Sequence, residues 1–263
     1  MLSRCGGAWR SPGLRRKGPW PRCSAGARAG LRCGRVTVPP CRRRGNARTN
    51  PFRISWLSMT DPLLLAGLLC SRLCHDLVGP VGAVVNGVEL LTDVDGGPDE
   101  EELRDQSIAL VGESANELSA RLRLFRLAFG AAADGSIVSH DEIAEVLLPV
   151  MQGRRIAATI DGAREGLDRA KARIGLLMAL IGADCLPRGG RLNLSFGPGR
   201  NVVVTSAGDR CVLPAAHAAV FGGDDAGIEP RTAPVVYALG LAAQDGGSLT
   251  CAAREGTVEL RLA

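Results

Sequence analysis

Ser71-Arg72-Leu73-Cys74-His75-Asp76-Leu77-Val78-Gly79-Pro80 lies inside a long apolar-periodic run over residues 62–91. Leu69, Leu73, Leu77, Val84, Val88 and Leu91 recur at steps of three, four or seven, the spacing of one helix face. The pattern predicts one helix from 62 to about 94, opened by Asp61 as N-cap and Pro62 at the first helical position. His75 stands two residues from both Leu73 and Leu77. Two residues turn a helix by roughly 200°, so the imidazole is expected to point away from the buried stripe. Ser71, Arg72, Gly79, Gly82 and Asn86 share that outward side, and a carboxylate, Asp76, follows the histidine at once. Pro80 should kink the helix beyond His75.

Downstream, Asp95-Gly96-Gly97-Pro98 reads as a turn, and a second helix is expected from about 99 to 129. Asp99, Glu100, Glu101 and Glu102 favour its N-terminus. Its apolar positions include Leu103, Leu110, Val111, Ala115, Leu118, Leu122, Phe125 and Phe129. Two long helices joined by a short turn make an antiparallel hairpin. One hairpin buries one stripe on each helix; two hairpins paired as a homodimer close a four-helix bundle. Folding about the turn brings Glu117, Leu118 and Arg121 to the height of His75.

Residues 130–135 read as a linker. Beyond it, Ser139 and Glu142 form a capping box. A strand is expected over 156–161, an apolar helix over 167–186 and a turn over 187–190. Strands follow over 191–196 and 201–206 about Gly197-Pro198-Gly199, then a helix over 233–244. A closing hairpin of strands 248–252 and 257–262 ends the chain. The fold class is therefore α+β: a helical hairpin over 59–130, then helices on one face of a largely antiparallel sheet over 136–263.

Charge separates a third segment. Of 32 Lys+Arg, 14 fall in residues 1–58, which hold none of the 27 Asp+Glu; the remaining 18 basic and 27 acidic residues give the rest of the chain a net of −9. The overall +5 would invite a nucleic-acid reading, and the acidic body refuses it. Residues 1–58 are rich in Arg, Pro, Gly and Cys without apolar periodicity, so they are expected to be a disordered basic tail, with Met59 the natural start. The nine cysteines include no Cys-x-x-Cys pair, which suits a reducing cytoplasm; Cys70 and Cys74 read as small buried helix residues rather than metal ligands. The run 63–70 is far short of the roughly 20 apolar residues a membrane span requires, so no membrane is expected. His140 sits in a helix cap and His217 in a loop; neither is assigned a role.

His-Asp-Leu with a proline five residues after the histidine resembles the H-box of histidine-kinase dimerisation domains, and residues 72–80 as a whole resemble the ChpT-type histidine phosphotransferases. The motif order of the second part is similar to the kinase ATP-binding domain. Pro187-x-Gly189-Gly190 matches the segment after the N-box, Asp245-Gly246-Gly247 the last glycine box, and 256–262 the terminal strand. The departures matter more. The kinase's magnesium-binding Asn aligns with Ile181, and no Asp-x-Gly-x-Gly occurs in the expected region. The resemblance thus implies a degenerate ATPase-like α/β sandwich that holds no nucleotide.

It further implies a phosphorelay in which His75 shuttles phosphate between receiver-domain aspartates. Imidazole, with a pKa near about 6.5, is mostly neutral at pH 7 and keeps one nitrogen free to attack. Asp76 can hold the other. Mg²⁺ would belong to the partner receiver, and no cofactor or metal is expected in this chain. The face of Gly79, Gly82 and Asn86, with Arg72, Glu89 and Arg121, is the expected receiver-docking surface. The implied partners are the receiver of a CckA-like hybrid kinase and CtrA-like and CpdR-like response regulators. An ATP-dependent histidine kinase, or a module that inhibits a kinase by docking its bundle, is the alternative.

Overall fold

In the computed structural model, which describes residues 61–92, 100–130, 136–162 and 166–263, the first helix, α1 (Pro62–Thr92), starts where Asp61 caps it. Asp61 Oδ1 accepts from Leu63 N at 2.9 Å. The expectations for residues 1–58, for the turn at 95–98 and for residues 131–135 lie outside the described residues. Helix α2 (Glu100–Phe129) packs against α1 as the partner of a hairpin.

The seam between the two helices is narrower than the apolar periodicity suggested. Pro80, Gly87, Ser107 and Ser114 are buried along it. A Cβ on Gly87 would sit 2.6 Å from Val111 Cγ2 and 3.4 Å from the Ser107 carbonyl, so only glycine lets the backbones approach this closely. Leu69, Leu73, Leu77, Val84 and Leu91 are half-buried, whereas Val88, Leu103, Leu110, Ala115 and Leu122, expected inward, are exposed. The reason is geometric: one helix against one helix covers one strip of each. Val78, Val81, Val85 and Ile108 are exposed as well.

Length and composition by themselves do not exclude a membrane span. At 31 residues α1 is long and apolar enough to cross a membrane. The count of a continuous apolar run missed this, because Gly, Ala, Cys and Ser extend the apolar stretch without adding charge.

The second lobe begins with β1 (Ile137–Val138) and α3 (His140–Gly153), capped by Ser139, whose hydroxyl accepts from Glu142 N at 3.1 Å. Then follow β2 (Ile156–Asp161), β3 (Leu167–Asp168), α4 (Arg169–Asp184), β4 (Gly190–Phe196), β5 (Val202–Ala207), α5 (Ala215–Phe221), α6 (Ala233–Gln244), β6 (Leu249–Arg254) and β7 (Thr257–Leu262). The five-stranded sheet has the order β2-β4-β5-β7-β6. Only the β2–β4 pair is parallel, in register from Ile156 opposite Gly190 to Asp161 opposite Ser195. Strands β1 and β3 form a separate two-stranded ribbon that the sequence did not announce.

Alternation places Leu192, Leu194, Val202, Val204, Val258, Leu260 and Leu262 on the face under the helices. Helix α4 lies close on that face through two glycines: a Cβ on Gly175 would meet Phe196 at 2.6 Å, and one on Gly182 would meet Ser206 Oγ at 2.7 Å. The hairpin joins this core at one end. Leu124, Phe125, Leu127 and Ala128 of α2 are buried with it, and Leu65, Leu73 and Leu77 of α1 pack against it. Phe129 stacks on Tyr237 at 5.9 Å, and Arg173 covers the same ring at 5.1 Å while its Nε donates to the Ala128 carbonyl at 3.2 Å. The half of α1 that carries His75 is therefore the half fastened to the second lobe.

Candidate functional site

His75 is the most exposed group of its surroundings, its side chain 75% accessible on the outward face of α1. Its Nδ1 lies 3.1 Å from Asp76 Oδ1. A carboxylate can only accept, so this contact selects the tautomer with the proton on Nδ1 and leaves the Nε2 lone pair directed at solvent. The other Asp76 oxygen, Oδ2, accepts from Arg72 Nε at 2.8 Å, one helical turn back.

Pro80 and Arg121 explain the backbone beneath. Proline has no N–H, so the carbonyl four residues earlier, that of Asp76, loses its regular helical donor. Arg121 Nη1 donates to that carbonyl from α2, and Arg121 Nη2 donates to Glu117. Folding the hairpin about its turn thus brings Arg121, paired with Glu117, to the level of Asp76. The Arg121 guanidinium, expected at the docking surface, braces the two helices.

Arg72, also expected at the docking surface, is held within the chain. Its side chain is nearly buried, with Nη2 on Asp184 Oδ1 at 3.1 Å and Nη1 on the Arg231 carbonyl at 3.3 Å. It is engaged by three elements and is not free to meet a partner. Gly79, Asn86 and Glu89 are exposed and Gly82 half-buried; nothing lies within 4 Å of where a Cβ would stand on either glycine. That face is open to a close approach. Glu89 lies fourteen residues along the helix from His75, about 21 Å away.

The charges that sequence reasoning missed sit on the second lobe. Asp184, the last residue of α4, takes Arg154 Nη2 at 2.9 Å on the same oxygen as Arg72. His217 Nε2 is 3.7 Å from its other oxygen, an attraction beyond hydrogen-bonding distance, and neither ring nitrogen of His217 has a hydrogen-bond partner. His217 is buried in α5, not in a loop. Burial pushes the Asp184 carboxyl up, but His217, Arg72 and Arg154 outweigh it and hold the group well below the usual carboxylate range. Burial lowers the Arg72 guanidinium, yet Asp184 and Asp76 raise it further, so the pair stays ionised. A cleft of about 440 Å³ opens between the two parts, lined by His75, Asp76, Arg72, Asp184, His217 and Arg231 among others. No local sequence signal marks Asp184 as part of this site; its partner Arg72 is 112 residues away.

Cys70 and Cys74 are exposed, against the expectation of burial. Cys185 is buried, and that burial raises its thiol to about 12. Among the described residues no group of three or more His, Cys, Asp or Glu could hold a metal. His140 Nε2 lies 3.5 Å from the Ile160 carbonyl at the start of α3. Ile181, which the sequence resemblance aligns with the kinase's magnesium-binding amide, is buried in the core.

Three likenesses bear on this arrangement. The sequence model of the histidine phosphotransferase C-terminal domain matches residues 140–257. A protein phosphotransferase ChpT of Brucella abortus (strain 2308) is 41% identical over 129 residues, 49% of this chain and 58% of that relative, so the match spans little more than half of the relative's length. A solved structure described as a bacterial phosphotransferase superposes with a TM-score of 0.67 at 31% identity, covering 78% of this chain and 98% of the other.

Proposed function

The chain belongs to the ChpT-type histidine phosphotransferases, and from that premise we propose that His75 is a phosphoryl carrier between receiver-domain aspartates in a two-component phosphorelay. The observation that carries the reading is the His75–Asp76 contact on an exposed helix face. Nε2 attacks the phosphorus of an aspartyl phosphate. The N–P bond forms as the P–O bond to the carboxylate breaks, and that bond's electron pair returns to the aspartate. The Nδ1 proton stays in place, and Asp76 offsets the positive charge that develops on the ring. In the reverse direction an acceptor carboxylate displaces the imidazole. Transfer of this kind depends on positioning and charge neutralisation, for which Mg²⁺ on the receiver is the expected source.

The receiver docks along Gly79, Gly82, Asn86 and Glu89, where small side chains admit a partner helix. Arg72 and Arg121 act behind that surface. The upstream receiver is that of a CckA-like hybrid kinase, the downstream ones are CtrA-like and CpdR-like regulators, and the reaction is cytoplasmic. Val78, Val81, Val85, Val88, Ile108 and Leu110 are covered by a second copy of the hairpin, forming a four-helix bundle. Charged and polar groups along α1, among them Arg72, His75, Asp76 and Glu89, favour this cover over lipid. No nucleotide takes part: Ile181 offers an aliphatic group inside the core where a kinase needs an amide.

The test is to mix the protein with a phosphorylated receiver domain. Acid-labile, base-stable phosphate should arise on His75 and be lost in His75→Ala. Phosphate that reaches the second receiver through the His75→Ala protein would sink the reading.

A further inference from the structure

The Arg72 guanidinium spans two carboxylates that belong to different parts of the molecule. Its Nε–H meets Asp76 on α1, and its Nη2–H meets Asp184 at the end of α4. An i,i+4 pair on a helix surface is worth too little to fix a side chain with as many rotamers as arginine. The second carboxylate changes that. Asp184 is itself held from the lobe side by Arg154 and approached by His217, and little solvent reaches it. With Nη1 also on the Arg231 carbonyl, the planar fork has one orientation, and that orientation aims Nε–H at Asp76 Oδ2. Asp76 then has one oxygen committed to Arg72 and the other facing His75 Nδ1.

We infer that Asp184 is a positioning residue for His75: through Arg72 and Asp76 it fixes which imidazole nitrogen is free to take the phosphoryl group. This rests on the phosphorelay reading and adds a task for the second lobe. The lobe, without a nucleotide to bind, supplies the fixed end of a four-residue chain, Asp184–Arg72–Asp76–His75, that orients the nucleophile. The chain is directional: Asp184 acts on His75 through Arg72 and Asp76.

The experiment reads His75 directly. In full-length protein with ¹⁵N-labelled histidine, the two ring-nitrogen shifts of His75 are followed from pH 5 to 9, and transfer from a phosphorylated receiver is timed in parallel. The wild type should hold the proton on Nδ1 throughout the neutral range. Asp184→Asn should let the proton redistribute towards Nε2 and slow transfer about tenfold. Asp184→Glu should restore part of both. Arg154→Gln removes the other guanidinium from the same carboxylate oxygen and controls for mere loosening of the joint; it should move the His75 nitrogen shifts less than Asp184→Asn does. If Asp184→Asn does not fold by circular dichroism, Arg72→Lys, which cannot span both carboxylates, should give the same redistribution. Unchanged His75 shifts in Asp184→Asn, or in Arg72→Lys where that stands in, would overturn the inference, as would an Arg154→Gln shift of equal size. A wild type that takes no phosphate on His75 would remove the phosphorelay reading instead, and the nitrogen shifts would still decide whether Asp184 orients the ring.

Discussion

The second lobe and the helical hairpin treat their apolar residues in opposite ways. From Leu124 onward the chain buries a continuous core in which α4 alone contributes Leu176, Leu177, Met178 and Ile181, each almost wholly inaccessible. Among the described residues before Leu124 no large hydrophobic residue is buried; the groups lost from solvent there are Pro80, Gly87, Ser107 and Ser114, while Val78, Val81, Val85 and Leu110 face outward. The lobe is complete in one copy. The hairpin is a half-structure, closed along a seam of small residues and left open along its apolar stripe. The difference teaches that the two parts have different sources of stability: the lobe's is internal, and the hairpin's, on the proposed pairing, comes from assembly.

Substitutions can break or sharpen that contrast. The largest effect is expected inside the lobe. Leu177→Ala should cost about 2–5 kcal/mol, measured by urea unfolding, and leave the association state unchanged. Next comes the hairpin seam: Gly87→Val must displace Val111 and should cost about 1–3 kcal/mol, with the loss of helical signal preceding that of the lobe. Val85→Asp, on the open stripe, should weaken self-association at least tenfold, about 1.4 kcal/mol, in sedimentation while the lobe melts as before. A protein that stays monomeric at every concentration would remove the contrast.

The smallest effect concerns the joint between the two parts. The carboxyl of Asp184 is depressed by folding, so its contribution is fully present above the ordinary carboxylate value of about 4 and is lost as pH falls below it. Unfolding midpoints should therefore hardly move between pH 7 and 4 and should drop further down, more steeply in the wild type than in Asp184→Asn.

What the sequence made legible was local. Asp61 and Ser139 announced their helices, Gly197-Pro198-Gly199 its hairpin, and the phase of His75 its outward side. What it concealed was long-range or depended on depth. Periodicity counts leucines and valines but cannot say how many helices will cover them, so Val88, Leu103, Leu110 and Leu122 were expected inside. Arg72 and Arg121 looked free because their acceptors, Asp184 and the Asp76 carbonyl, lie far along the chain. Cys70 and Cys74 misled because small size was taken for burial, and His217 because a seven-residue helix carries little pattern.

The missing amide hydrogen of Pro80 has one more implication. It leaves an acceptor bare directly under the nucleophile, and the cation that meets it is delivered by the opposite helix. The two helices are thereby keyed to each other by an omission: slide one past the other by a single turn and the peptide oxygen next to His75 is stranded. Any signal transmitted by axial sliding within the hairpin would have to break this lock first, which makes α1 and α2 a rigid mount for the imidazole.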